Sequence, residues 1–436
     1  MTQTQAIGAT TAVAPARPRL HAVDRREAAL LSVGTLSSGI LAYAFNVIAA
    51  RSLGPEVYGA VGALWAGMFL VSVLLFRPVE QTLSRAISDQ VARDVDARPA
   101  VRSAGWLTLG ITLVALSAFA IAWRPLTDGL FGGRAVLTVA LIAGVAGYAA
   151  SYFARGLLGG VRWFGGYGLL LLADGAIRLI VALPLVLFAS PAVAAAAIAA
   201  AAIGGALAPV LSPGRKRLRV IAEGEVQGSF DVRAAARFAL PAAVIAGCEQ
   251  ILICGGPLLV LIAGGPDAAG AAGVLFAATL LLRAPVFAFQ GVAASLLPNL
   301  TTFQARGDHA RAHRATMLVA LAMAAFAAVL AVGALALGPQ AMNVMYGAGF
   351  DATRTDLALL ALGIGGFLAA GTFCQALLAR EQGARAASLW SLAAVTFVGL
   401  ELVLGGSEFH RVSVAFAAAS TLVALTLMGS LWRARP

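Results

Sequence analysis

The feature that most constrains this chain is a succession of long, nearly unbroken apolar runs. Crossing the hydrocarbon core of a bilayer takes about 20 largely apolar residues in helical form. Runs of that kind fall near 29–50, 59–83, 104–123, 135–154, 167–189, 192–212, 238–262, 269–302, 315–337, 355–379, 386–404 and 412–432. They are continuous and rich in Ala, Leu and Gly, unlike the short alternating segments of barrel strands. Each therefore reads as a helix that satisfies its own backbone hydrogen bonds inside lipid. A water-soluble fold is excluded, because a chain of 436 residues that is 60% hydrophobic and 12% charged has too little polar sequence to cover its surface. The expected fold class is all-α, a polytopic membrane protein of about twelve transmembrane helices.

Charge placement gives an orientation. The formal net charge of +11 would suggest a nucleic-acid partner in a soluble domain. Here the basic residues lie between apolar runs, where they set topology, so no nucleic acid is expected. With both termini cytoplasmic, the inner segments hold 23 Arg and Lys and the outer segments hold 5, the latter being Arg51, Arg124, Arg134, Arg354 and Arg411. This excess predicts a multi-pass protein of the inner (cytoplasmic) membrane with an even number of spans. Residues 1–28 read as a cytoplasmic tail without a cleavable signal sequence, and 433–436 as the cytoplasmic C-terminus. Cys248, Cys254 and Cys374 lie inside apolar runs without metal or disulfide spacing and read as packing residues.

An internal repeat divides the chain. The segment Gly54-Pro55-Glu56-Val57-Tyr58-Gly59-Ala60-Val61-Gly62-Ala63-Leu64 lies over Gly265-Pro266-Asp267-Ala268-Ala269-Gly270-Ala271-Ala272-Gly273-Val274-Leu275 at an offset of 211 residues. Both copies join the first and second spans of a six-span half. Arg77-Pro78-Val79 in span 2 is echoed by Arg283-Ala284-Pro285-Val286 in span 8, and a proline in mid-helix predicts a kink in each. Six spans per half give both halves one orientation, related by an axis along the membrane normal. The expected organisation is a six-helix lobe at 29–212, a basic cytoplasmic linker at 213–237 and a six-helix lobe at 238–432. Gly54, Gly59, Gly265 and Gly270 read as structural, permitting tight turns and close helix contact.

The stretch Ala50-Arg51-Ser52-Leu53-Gly54-Pro55-Glu56-Val57-Tyr58-Gly59 resembles the segment after the first helix of polysaccharide-biosynthesis (Wzx-like, O-antigen-type) flippases, within the multidrug/oligosaccharidyl-lipid/polysaccharide exporter (MOP) superfamily. Residues 154–167, from Ala154-Arg155-Gly156 through Trp163-Phe164 to Tyr167, are similar to that family's connection between spans 4 and 5, and Leu297-Pro298-Asn299-Leu300 is similar to the end of its span 8. The resemblance covers most of 29–432. It implies two pseudo-symmetric six-helix bundles around a central cavity that rocks between inward- and outward-open states. It also implies transfer of an undecaprenyl-diphosphate-linked oligosaccharide to the outer leaflet. The two additional C-terminal helices typical of lipid II flippases do not follow span 12 here, which turns the expectation away from that substrate.

Charged groups in spans are costly to insert and tend to face a cavity or a partner. Arg77 and Arg283 either line the cavity and meet a diphosphate, as planar guanidinium groups can, or snorkel and brace the proline kinks. Asp174 and Arg178, four residues apart, share a helix face as a self-neutralised pair or as a cavity charge that opens on binding. Glu249 is a lone carboxylate for a coupling proton or a neutral acid bonded to a neighbouring helix. Glu80 is a second coupling-ion candidate and Gln290 a further cavity candidate. Gln81, Gln250, Gln375, Asn46 and Glu401 more simply hold helices together. Arg155 and Arg162, with Trp163 and Phe164, read as lipid-headgroup anchors. The four histidines, His21, His309, His313 and His410, fall in tail and loops. No P-loop, GxSxG or HExxH occurs, so neither an enzyme nor a cofactor is expected. Expected partners are membrane lipid, the lipid-linked substrate, and a polymerase or glycosyltransferases. Two competing functions remain: a multidrug cation antiporter, which needs an acidic cavity, and a non-transporting scaffold for polysaccharide assembly.

Overall fold

The computed structural model describes residues 25–224, 226–227, 232–283, 309–378 and 380–433. Eleven α-helices are described: α1 (Arg25–Ala92), α2 (Arg98–Ile121), α3 (Ala135–Gly160), α4 (Phe164–Ala182), α5 (Pro191–Leu211), α6 (Val232–Gly264), α7 (269–283), α8 (His309–Tyr346), α9 (Arg354–Leu378), α10 (Gly383–Val403) and α11 (Glu408–Arg433).

Ten stretches are long and apolar enough to cross a membrane, but two of them, of 64 and 45 residues, exceed what one crossing uses. Both double back at the repeat. In α1 the break falls at Gly54, φ 72°, and between α6 and α7 it falls at Gly265, φ 65°. A positive φ suits glycine, and the proline that follows each is preset for a new helix. Splitting the two long stretches gives twelve helical segments, six in each of two bundles, with α7 described only as far as Arg283. Residues 25–53, 55–92 and α2–α5 form the first, and α6–α11 the second.

Proline breaks one repeat copy less than the sequence suggests. The backbone of α1 stays helical through Pro78, and its non-helical point is Gly54. Pro285 lies outside the described residues. The connection between spans 4 and 5 is also shorter than the expected 155–166. α3 continues to Gly160 because Gly156, Gly159 and Gly160 pack directly on Glu80, Ser84 and Ile87 of α1. Arg155 is thus a helical residue rather than a loop anchor. Span 9 is likewise longer, with α8 covering 38 residues instead of 315–337.

The crossings define two faces. The basic face carries the start of α1, the α3–α4 connection and the stretch after α5. The opposite face carries both Gly-Pro turns. On the basic face, Pro213–Ala222 forms a 3₁₀ helix whose Ile221 is buried and whose Arg215, Lys216, Arg217 and Arg219 are exposed. Val226–Gln227 then pairs in parallel with Val95–Asp96, and the Ala97 amide donates to the Ile221 carbonyl at 2.9 Å. Glu27 ties three elements together by accepting from the Gly165 amide and from Arg217, both at 2.6 Å. The linker is therefore docked on the first bundle.

Small residues set the helix spacing within the first bundle. Gly34 and Gly168 face each other so closely across α1 and α4 that a methyl group on either would overlap the other helix's backbone. In the second bundle α9 is the central packing helix, seated against α8 and α11.

Candidate functional site

The polar interior of the first bundle is built in two tiers. The tier nearer the Gly-Pro face centres on Arg178 of α4, which is 1% exposed. Its Nη2 donates to Asp174 Oδ2 at 2.5 Å and to the Tyr148 hydroxyl at 2.9 Å. Tyr148 in turn donates to Asp174 Oδ1 at 3.1 Å. Helical spacing places Asp174 and Arg178 on one face, and α3 contributes Tyr148 from the side. The guanidinium lies over the Trp65 ring, 4.4 Å from its centroid. Trp65 itself stacks between Phe45 at 5.6 Å and Phe69 at 5.4 Å. Charge, hydrogen bonds and ring contact all compensate the burial of this arginine.

The second tier lies nearer the basic face. Arg155 of α3 sits over the Tyr152 ring at 4.7 Å. Its Nε is shielded from solvent and has no hydrogen-bond partner among the described residues. Glu80 of α1 accepts from the Tyr167 hydroxyl at 2.7 Å, and its carbonyl lies against Gly156, next to Arg155. One turn along α1, Arg77 is half-buried and acts electrostatically on Tyr152 of α3 and on Glu249 of α6. No described hydrogen bond or ion pair occupies it.

The second bundle differs in its chemistry. Arg283 is half-buried, with Cys254 as its electrostatic neighbour, and Cys254 donates to Gln250 Oε1 at 3.5 Å. Cys248 donates to Ser391 at 3.8 Å. All three cysteines are free and buried. Between α8, α9 and α11 runs an apolar trough of about 750 Å³, floored by Gly365, Gly366 and Ala369. Near the Gly-Pro face, Glu401 pairs with Arg411 at 3.3 Å and Asp356 with His410 at 2.7 Å. His410 therefore belongs to the first turn of α11 with a carboxylate partner, not to a freely solvated loop. Glu401 is a buried ion-pair member rather than a lone polar group.

The bundles meet along a seam at the Gly-Pro face. A methyl group on Gly59 would collide with the Ala269 carbonyl, and one on Gly273 with the Pro55 carbonyl. The two copies of the repeat thus pack backbone to backbone. Tyr58 lies against Phe276 and Phe350, with centroids 5.7 and 5.9 Å away. Arg51 reaches across to donate to the carbonyls of Met345 at 2.9 Å and Val344 at 2.5 Å, at the end of α8. A cation there meets the negative end of the helix dipole. The seam continues inward where Gly67 faces Leu258 and Gly247 faces Leu74.

The structure brings Asp174 and Arg178 into one network, joins Glu80 to Tyr167 with Arg77 one turn away on α1, and places Glu249 across the bundle boundary from Arg77. Arg283 stands apart from both tiers, and Gln290 lies outside the described residues. Sequence reasoning missed Arg155, Tyr148, Tyr152, Tyr167 and Trp65. The spacing of Tyr148, Tyr152 and Arg155 at intervals of four and three residues was the available signal, since it marks one helix face. Ending span 4 at residue 154 hid it.

Comparison with known proteins places the chain. Residues 25–225 match the family described as "Polysaccharide biosynthesis protein". An uncharacterized protein of Mycobacterium bovis is 28% identical over 356 residues, covering 78% of this chain and 77% of its own length. An uncharacterized protein of Mycobacterium tuberculosis strain H37Rv is 29% identical over 347 residues, 75% of this chain and 74% of its own. Among solved structures, the inward-facing conformation of a multidrug resistance MATE family transporter of the MOP superfamily aligns with a TM-score of 0.67 at 16% identity, covering 92% of this chain and 93% of that one. A MOP superfamily transporter from Pyrococcus furiosus, described by the reverse polarity of its binding pocket, aligns at 0.64 with 14% identity, covering 93% and 96%. Residues 25–225 of this chain thus match the polysaccharide biosynthesis protein family, and over most of its length the chain shares the fold of the solved MOP superfamily transporters.

Proposed function

We propose that the chain is a flippase that moves an undecaprenyl-diphosphate-linked oligosaccharide from the cytoplasmic to the outer leaflet of the inner membrane. The basic face is assigned to the cytoplasm on the charge excess of the sequence. The lobes 29–212 and 238–432 rock about the seam, and the packed Gly-Pro face corresponds to a state closed to the outside.

One observation carries this reading. The interior of the first bundle holds three guanidinium groups, Arg77, Arg155 and Arg178, against two carboxylates, Glu80 and Asp174. A polyprenyl diphosphate is an anion that must cross at membrane depth, and arginine binds phosphate oxygens through a planar fork. A cation antiporter has the same fold but needs the opposite excess. A scaffold for a polymerase or glycosyltransferases has no use for unpaired charge at that depth, given its insertion cost. Glu249, facing the bundle boundary near Arg77, is the proposed carrier of a coupling proton.

The test is deletion of the gene in its own host. Lipid-linked glycan should accumulate in the cytoplasmic leaflet while surface polysaccharide falls, with recovery on complementation. Unchanged surface polysaccharide and no accumulated precursor would remove the flippase reading.

A further inference from the structure

We infer that Arg155, which lies over Tyr152, and Arg77, one turn from Glu80 on α1, form the seat in which the substrate's diphosphate first docks, and that Glu80 is the counter-charge the phosphates displace. The identity of the anion rests on the proposed function; the existence of an anion seat rests on the geometry below.

Four observations converge. First, Arg155 is an α3 residue held at the level of Glu80 by the tight Gly156 contact with the Glu80 carbonyl. It faces into the bundle, and its Nε, like those of Arg178 and Arg411, has no partner among the described residues, but unlike those two it has no carboxylate in direct contact. A buried N–H without an acceptor is uncommon enough to require an explanation. An oxyanion seated beside it supplies one. Second, Arg77 has no acceptor of its own among the described groups, yet its field reaches the same tyrosine, Tyr152, that lies under Arg155. Two guanidinium groups in one neighbourhood match the double charge of a diphosphate better than a single point charge. Third, Glu80 is held by the Tyr167 hydroxyl at 2.7 Å and is not consumed by a direct ion pair with either arginine. It lowers the local positive charge in the empty state and can yield to a doubly charged ligand. Fourth, the site lies in the basic-face half of the first bundle, where α3 is within two turns of its end at Gly160. A head group entering from that side meets it before reaching Arg178.

Arg178 is a poor first seat although its Nε is also buried without a partner: its Nη2 is already shared between Asp174 and Tyr148, its carboxylate partner is in direct contact, and its face is covered by Trp65. Arg283 offers a single guanidinium beside a thiol.

The experiment measures binding of a short polyprenyl diphosphate, farnesyl diphosphate, to the purified full chain in detergent. Farnesol, inorganic pyrophosphate and phosphatidylglycerol serve as competitors. Arg155→Ala and Arg77→Ala should each weaken binding at least tenfold, and Arg155→Lys should restore part of the loss. Glu80→Gln should tighten binding several-fold, a gain that misfolding cannot produce. Pyrophosphate should compete, and farnesol and phosphatidylglycerol should not. Wild-type affinity in both alanine variants, or weaker binding in Glu80→Gln, would overturn the seat while leaving the flippase reading intact. Competition by phosphatidylglycerol at equal concentration would also overturn it, marking a general lipid-headgroup site. Absence of farnesyl diphosphate binding to the wild-type chain would overturn the seat and the assigned substrate class together.

Discussion

The two arginine environments of the first bundle differ in what has been done with the charge. Arg178 is enclosed by a carboxylate, a hydroxyl and an indole. Arg155 lies over the Tyr152 ring with its Nε unpartnered, and no described hydrogen bond or ion pair engages Arg77. One helix bundle thus contains a neutralised ionic network, which fixes α3 against α4, and a second one without a direct ion pair. Buried arginine alone therefore does not mark a transport site; the distinction lies in whether a carboxylate already neutralises it.

The largest expected effect comes from breaking the neutralised network. Asp174→Ala leaves Arg178 charged and unpaired at 1% exposure, which costs about 3–5 kcal/mol. Thermal denaturation in detergent should show a lower midpoint and a lower folded yield. Replacing both partners, Asp174→Leu with Arg178→Met, should recover most of that loss, because an apolar pair removes the uncompensated charge. Arg155→Ala should instead denature within about 1 kcal/mol of the wild type while losing substrate. If Asp174→Ala and Arg155→Ala are equally stable, the contrast between the tiers is gone.

The sequence carried the fold further than the site. Twelve apolar runs are readable because lipid forces each crossing to be long and apolar, and Gly54 and Gly265 are readable because positive φ leaves few alternatives to glycine. The Asp174–Arg178 pair follows from four-residue spacing alone. Tyr148 and Trp65 join that network from other helices, and no local pattern encodes which helix faces which. Arg155 was hidden for a different reason. Arginine near a span's end normally marks the membrane boundary, and only the Gly156, Gly159 and Gly160 contacts with α1 extend the helix past it. Arg77 and Arg283 illustrate the converse, since the similar Arg-Pro segments stand 206 residues apart against the repeat's 211 and have unlike surroundings.

The seam offers the next test, because it compares the two copies of the repeat directly. Glu56 and Gly270 are neighbours across it, with the Glu56 Cγ 3.6 Å from where a Gly270 side chain would begin. Glu56→Cys with Gly270→Cys should therefore cross-link on mild oxidation. The cross-link should arrest export, and reduction should restore it. Gly59→Ala would force apart backbones that touch at Ala269, at a cost of about 1–3 kcal/mol to the closed state. Cross-linking should then slow and the Gly-Pro face become more accessible to thiol reagents. Unchanged cross-linking in Gly59→Ala would show that this contact does not hold the seam closed.

Arg77 and Arg283 sharpen the comparison between bundles at a smaller scale. Their similar Arg-Pro segments predict equal importance, whereas their surroundings predict inequality. Arg77 faces Tyr152 and Glu249, and Arg283 faces Cys254. Export in cells should fall further in Arg77→Ala than in Arg283→Ala at matched protein levels. Equal losses would mean that the second bundle contributes a phosphate contact of its own.

The smallest effect is expected at the basic face, where the linker is clamped to the first bundle. Asp96 accepts from the Arg98 amide and Nε, each at 2.9 Å. The hydrogen bond from the Arg98 side chain holds the Asp96 carboxyl below the usual carboxylate range. A lowered pKa in the folded state means that the ionised form is the one favoured by folding. The stabilisation is therefore present above the unfolded pKa of about 3.9 and is lost as pH falls through the lower folded value. At neutral pH the clamp is fully engaged, and Asp96→Asn should weaken it there without altering the spans. Limited trypsin digestion at Arg219 should be faster in Asp96→Asn than in wild type at pH 7, with thermal stability nearly unchanged. Both proteins should converge only in strong acid, where Asp96 is protonated in each. Equal digestion at pH 7 would mean that the Val95–Val226 strand pairing and the Ala97–Ile221 hydrogen bond hold the linker without the carboxylate.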